Sequence, residues 1–238
     1  MTEHVYTMTE QAYIVVGCRP WSRLAYDETI SKLPGRWGFV GTKDALSMDY
    51  VGRLNPRYIF FLHWSWIVPA EIINRYESVC FHMADVPYGR GGSPLQNLIV
   101  RGHRTTKLTA LRMSAEVDAG PVYFKEDLSL DGSAEEIFLR ANRLAAQMIE
   151  RLIREQPQPV PQTGEPVLFK RRKPNESLIP PTESLDKLYD FIRMLDAEGY
   201  PRAFLHHAGH RYEFSKATIV AGRILADVTI TRIEEASS

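Results

Sequence analysis

Tyr13-Ile14-Val15-Val16-Gly17 is apolar throughout, up to and including its glycine. A run that short, without polar alternation, reads as a strand buried on both faces. Two more follow, Trp37-Gly38-Phe39-Val40 and Arg57-Tyr58-Ile59-Phe60-Phe61-Leu62. The stretches between them predict helices: one from Ser22, an N-cap candidate, to Leu33, stopped by Pro34-Gly35, and one from Lys43 to Leu54. Strands buried on both faces need cover on both faces. The alternation therefore specifies an α/β fold, a Rossmann-like, mostly parallel sheet with helices on both faces. Ligands of such a sheet gather at the carboxyl ends of its strands.

Further along, Val79 to Met83 predicts another strand, on which Cys80 and His82 point one way and Phe81 the other. A Pro- and Gly-rich bend, Pro87 to Ser93, leads to a short helix from Pro94 to Arg101, a strand from Lys107 to Met113, and Val122 to Phe124 continuing the sheet. Ser133 with Glu136 three residues later has the form of a capping box and opens a helix running to about Arg154. Pro157, Pro159 and Pro161 mark the edge of the main domain, placed at residues 1–160. Residues 161–238 are expected to form a small C-terminal subdomain: a helix from Ser184 to Leu195, then antiparallel strands over 202–207, 212–215 and 223–230.

The succession His82, Pro87, Arg90-Gly91, Pro94, Gln96 and Asp118-Ala119-Gly120 resembles, in order and spacing, the core motif of the folate-dependent formyltransferase family. Similar tail segments, Ile192 to Asp196 and Tyr200 to Phe204, extend the resemblance over most of the chain. It implies an N-formyltransferase with 10-formyltetrahydrofolate as donor. His82 and Asp118 would carry catalysis. The folate would lie against Ser65, Trp66, Ile67, Val68, Met113, Ser114, Val117 and Asp118. Arg90, Gly91 and Gly92 would meet the acceptor, and Arg19, beyond the first strand, is a separate candidate for an anionic group on it. One position departs from the family: Cys80 stands where the motif has Asn. An S–H is a weak donor, so three readings stay open. Another group, such as Asn97, His63 or a backbone N–H, replaces the lost amide; the chain binds folate without turnover; or Cys80 is a nucleophile activated by His82.

Composition bears on the acceptor. Lys+Arg and Asp+Glu balance at 29 each, so no overall field draws the chain to nucleic acid or to an anionic membrane. With a tail too short for a helix and a full five-stranded barrel, this favours a nucleotide-linked amino sugar as acceptor, with no nucleic-acid partner. Methionyl-tRNA, or water in a formyltetrahydrofolate hydrolase, is the alternative. Two cysteines suit a reducing cytosol, and the polar start, Met1 to Gln11, lacks the apolar core of a signal. A cytoplasmic protein without a metal site is expected, with a homodimer as one assembly the sequence allows; His206, His207 and His210 are read as surface residues.

Overall fold

The computed structural model describes residues 11–233, so the leading stretch Met1 to Glu10 lies outside the described residues. In chain order the elements are β1 (Ala12–Val16), α1 (Pro20–Glu28), β2 (Arg36–Val40), α2 (Met48–Leu54), β3 (Tyr58–Phe61), α3 (Ala70–Arg75), β4 (Ser78–His82), β5 (Tyr88–Gly91), α4 (Pro94–Val100) and β6 (Thr105–Arg112). Then come β7 (Val122–Ser129), α5 (Ala134–Glu155), β8 (Val167–Phe169), α6 (Leu185–Arg193), β9 (Ala203–His207), β10 (His210–Val220) and β11 (Arg223–Arg232). The fold is α/β, and the chain divides into two interleaved units. The first comprises the chain through His82, Thr109–Lys125 and Asn142–Gln162; the second comprises Met83–Leu108, Glu126–Ala141 and the chain from Thr163 on.

The main sheet has the order β2-β1-β3-β4-β6-β7. Strands β1 to β4 run parallel, and β6 lies antiparallel to β4, so the sheet is mixed. Side-chain alternation sorts the first unit's core into two faces. Ile14, Val16, Val40, Ile59 and Phe61 form one, against which Cys80, Trp64 and Met113 pack. The other is aromatic: Tyr13 lies 4.7 Å from Trp37, Tyr58 5.5 Å from Phe60, and Phe60 6.3 Å from Phe81, between ring centroids. Burying each such side chain is worth about 1.5–3 kcal/mol, which is why these runs form strands.

Two helix starts differ from the sequence reading. Helix α1 begins at Pro20, favoured in a first turn because its missing N–H is not needed there, and ends at Glu28. Ser22 is no N-cap: its side chain is buried and Oγ donates to the Leu62 carbonyl at 3.1 Å. Helix α2 starts at Met48 rather than Lys43, because Ser47 Oγ accepts from the Tyr50 N–H at 3.2 Å and fixes the cap there.

Just before β4, Glu77 binds the first unit together. It accepts hydrogen bonds from Arg57, from Arg112 at 2.5 Å and from the Tyr123 hydroxyl. Burial alone would raise its carboxyl, but these donors outweigh burial and hold it at about 2 against an ordinary 4.5. A depressed carboxylate stabilises the fold fully above its unfolded pKa and loses that contribution as pH falls through the folded one. A shift of that size corresponds to at most about 3 kcal/mol, and solvent at the two arginines reduces it to about 1–2 kcal/mol. Glu77→Gln is therefore expected to lower stability by about that much at neutral pH and to flatten the loss of stability between pH 4.5 and 2. Urea midpoints across that range check it; parallel acid limbs in the two proteins would refute it.

In the second unit, β5 and β8 form a two-stranded parallel sheet, and β9, β10 and β11 an antiparallel one. Strand β10 runs to Val220, past the expected Ser215. A register shift between Ser215 and Thr218, with Lys216 at φ 51°, breaks the alternation that a sequence reading follows. Ser184 caps α6 by accepting from the Lys187 N–H at 3.3 Å. Burial along that helix is graded: Leu185 is exposed, whereas Ile192, near its end, and Leu195, just beyond it, are buried. No helix among the described residues is long and apolar enough to cross a membrane.

Candidate active site

Strand β4 is hydrogen-bonded on both edges, parallel to β3 and antiparallel to β6, with His82 opposite Thr109. That fixes its pleat, so Cys80 and His82 share a face while Phe81 packs into the aromatic layer. After β6 the chain loops through residues 113–121 and returns across the face that carries Cys80 and His82. At Gly120 the return passes so close to β6 that a Cβ would stand 1.8 Å from the Arg112 carbonyl oxygen, which requires glycine. Asp118, in the left-handed region at φ 53°, then presents its carboxylate to both β4 side chains. Its Oδ2 is 3.4 Å from His82 Nδ1 and its Oδ1 is 4.0 Å from Cys80 Sγ. The His82 and Asp118 side chains are 8% and 14% exposed, so their interaction is little screened by water.

Cys80 is placed to point its S–H at Asp118. Burial first, and then the neighbouring carboxylate, push its thiol well above the ordinary value. A nucleophilic or metal-binding cysteine needs the thiolate, which this environment disfavours. Cys80→Ser is accordingly expected to keep most turnover; a fall of more than about a hundredfold, with a trapped acyl-enzyme in the parent protein, would point instead to covalent catalysis. The other donors considered for the missing amide are committed or distinctive. Asn97 Nδ2 donates to the carbonyls of Gly92, Ser93 and Lys170 at 3.0–3.1 Å, holding a turn of the second unit. His63 is held neutral, its pKa lowered to about 3 by burial and then by Arg19, and its backbone is left-handed at φ 51°. Its ring stands edge-on to Trp21 at 5.8 Å, and its carbonyl accepts from Cys18 Sγ at 2.9 Å.

The loop after β3 ends next to these groups in the sheet order. Trp66 and Ile67 are 41% and 84% exposed, and Val117, on the Asp118 loop, is 58% exposed. Val68 instead turns its side chain into the core, leaving only its backbone to meet a ligand. Ser65 Oγ lies 3.5 Å from Cys18 Sγ, and Ser114 Oγ donates to the Glu116 carbonyl at 2.9 Å. Trp64 packs edge-on to Trp66 at 4.7 Å, and its indole N–H is buried without an acceptor among the described residues. An orphaned donor costs about 1–3 kcal/mol. The exposed side chains of Trp66, Ile67 and Val117 offer apolar surface that a flat heteroaromatic ring could cover.

Arg90, Gly91 and Gly92 belong to the second unit. Gly91, at φ 104°, ends β5 where a Cβ would stand 2.5 Å from the Phe169 carbonyl oxygen, and at Gly92 a Cβ would meet Arg171. Both glycines thus have a packing reason: they let β8 approach. Sequence reasoning missed Gln162, which follows the Pro157–Pro161 stretch taken as a domain edge. That stretch turns back to β7, where Val122 and Val160 exchange hydrogen bonds at 2.8 Å. Nothing short of this pairing marks Gln162.

The comparisons with known proteins bear on the family. Residues 174–231 match the family model described as the C-terminal domain of methionyl-tRNA formyltransferase. The solved structure of a methionyl-tRNA formyltransferase from Clostridium thermocellum is 45% identical, with a TM-score of 0.88 over 93% of this chain and 99% of that one. The curated methionyl-tRNA formyltransferase of Rickettsia felis is 29% identical over 107 residues, 43% of this chain; the match spans 35% of that relative's length. A sugar N-formyltransferase from Shewanella sp shares the fold, with a TM-score of 0.63 over 91% of this chain and 96% of that one, at 12% identity.

These findings correct the expected acceptor. A nucleotide-linked amino sugar, without a nucleic-acid partner, was inferred from the short tail and the balanced charge. A protein of nearly the same extent is named a methionyl-tRNA formyltransferase, and the tail itself matches that enzyme's C-terminal domain. A full barrel is therefore not what distinguishes the two acceptors, and net charge averages away local basic surface.

Proposed function

Because this chain belongs to the folate-dependent formyltransferase family, we propose that it moves a formyl group from 10-formyltetrahydrofolate to the amine of methionyl-tRNA in the cytoplasm. The observation that carries the chemistry is the Asp118 carboxylate 3.4 Å from His82 Nδ1. Bound there, the folate supplies an activated formyl group. Trp66, Ile67 and Val117 would hold its ring. Asp118 orients the imidazole through Nδ1, and Nε2 would exchange a proton with the attacking amine and then donate to the developing oxyanion. With a neutral thiol at Cys80, His82 carries the part that the family's Asn shares. Lys170, Arg171 and Lys173 are exposed and would meet phosphates.

The test supplies the protein with 10-formyltetrahydrofolate and methionyl-tRNA and measures formylmethionine after deacylation. The reading predicts formylation of methionyl-tRNA, none of free methionine, and tRNA binding that weakens as salt is raised. Saturating both substrates without recovering formylmethionine would sink it.

A further inference from the structure

Asp118 works only if its loop is held, and its left-handed backbone costs about 1–2 kcal/mol for a residue that is not glycine. The restraint comes from Gln162. Its side-chain Nε2 donates to the Asp118 carbonyl at 2.8 Å and to the Gly120 carbonyl at 2.8 Å. A primary amide has two N–H donors, so both are used to clamp the peptide unit before Ala119 and the one after Gly120. Gln162 itself is anchored two residues past Val160, which exchanges both backbone hydrogen bonds with Val122. The clamp is therefore tied to β7. A turn bond from the Ala119 N–H to the Glu116 carbonyl, at 3.4 Å, is by comparison long.

We propose that Gln162 is a positioning residue for formyl transfer, holding Asp118 at His82 from outside the motif that supplies both. This rests on the catalytic reading of the His82–Asp118 pair. Misplacing a catalytic group by about 1 Å can cost about a hundredfold in rate. Gln162→Met, which keeps the length and removes the donor, is expected to lower kcat about ten- to a hundredfold, with folate affinity and far-UV circular dichroism unchanged. Because Gln162 acts through Asp118, the same change made in Asp118→Ala should lower kcat no further. A crystal structure of Gln162→Met should show the Asp118 carboxylate out of contact with His82, a readout independent of turnover.

The outcomes separate the two ideas. If Asp118→Ala keeps full kcat, the catalytic reading of the pair falls and takes this inference with it. If Asp118→Ala is crippled but Gln162→Met keeps full kcat, or if the two losses multiply, only the role of Gln162 is overturned. Should Gln162→Met fail to fold, Gln162→Glu carries the same test, since it keeps the size and places an acceptor against two carbonyls.

Discussion

His82→Ala is expected to lower kcat for formyl transfer by about a thousandfold while leaving folate affinity within about twofold of the parent. General acid–base groups contribute typically about 10²–10⁴, and His82 is the titratable side chain that faces the Asp118 carboxylate, 3.4 Å away. The folate would be held elsewhere, on Trp66, Ile67 and Val117 beyond β3 and β6, so binding and turnover separate. Asp118→Ala should follow the same pattern with a smaller loss, since it removes the orienting charge and leaves the imidazole. Losses confined to KM would mean that these residues bind the donor and do not act on developing charge. Steady-state kinetics with folate affinity measured in parallel decide between the two.

Arg193→Met is expected to destabilise the protein by about 3–5 kcal/mol, the usual result of removing one partner of a buried pair. The Arg193 side chain is 2% exposed at the end of α6. It donates to Asp190 Oδ1 at 2.6 Å and, across the second unit, to the carbonyls of Leu130 and Gly132 at 2.6 and 2.8 Å. Methionine fills much the same volume but leaves both carbonyls unsatisfied. Asp190 keeps only a 3.4 Å contact to the half-exposed Arg104. A urea titration measures the loss; a change below about 1 kcal/mol, the range of a surface pair, would contradict the role assigned to it. Folate binding to the remaining folded protein should persist, because the residues assigned to the donor lie in the first unit.

The strands of the main sheet were legible because their chemistry is local and extreme: Tyr13 to Val16 and Tyr58 to Leu62 are short and wholly apolar. The Ser133–Glu136 box was legible for the same reason and is formed, with the Glu136 N–H donating to Ser133 Oγ at 3.3 Å and the Ser133 N–H to the Glu136 carboxylate at 2.7 Å. Strand β5 was not legible. Its sequence, Tyr-Gly-Arg-Gly, has no periodicity, and it exists because β8 lies beside it some eighty residues on. His82 and Asp118 could be paired only through their motif, since nothing in a 36-residue separation says that a loop returns over the strand. Gln96, part of the same motif, proves to be a structural tie whose buried Nε2 donates to the Met194 carbonyl at 3.1 Å. Gln162 belonged to no motif, and its role became visible only with the loop it clamps. The acceptor was misjudged for a related reason: tail length and net charge are global quantities, whereas recognition is local.

The most direct measurement is a single-turnover transfer of labelled formyl group from 10-formyltetrahydrofolate to methionyl-tRNA, with parent protein and His82→Ala each saturated with folate. Rapid labelling of methionyl-tRNA by the parent, and transfer slowed about a thousandfold by His82→Ala at equal folate occupancy, is the predicted result. Equal rates in the two proteins, or folate bound by the parent with no label on the tRNA, would contradict it.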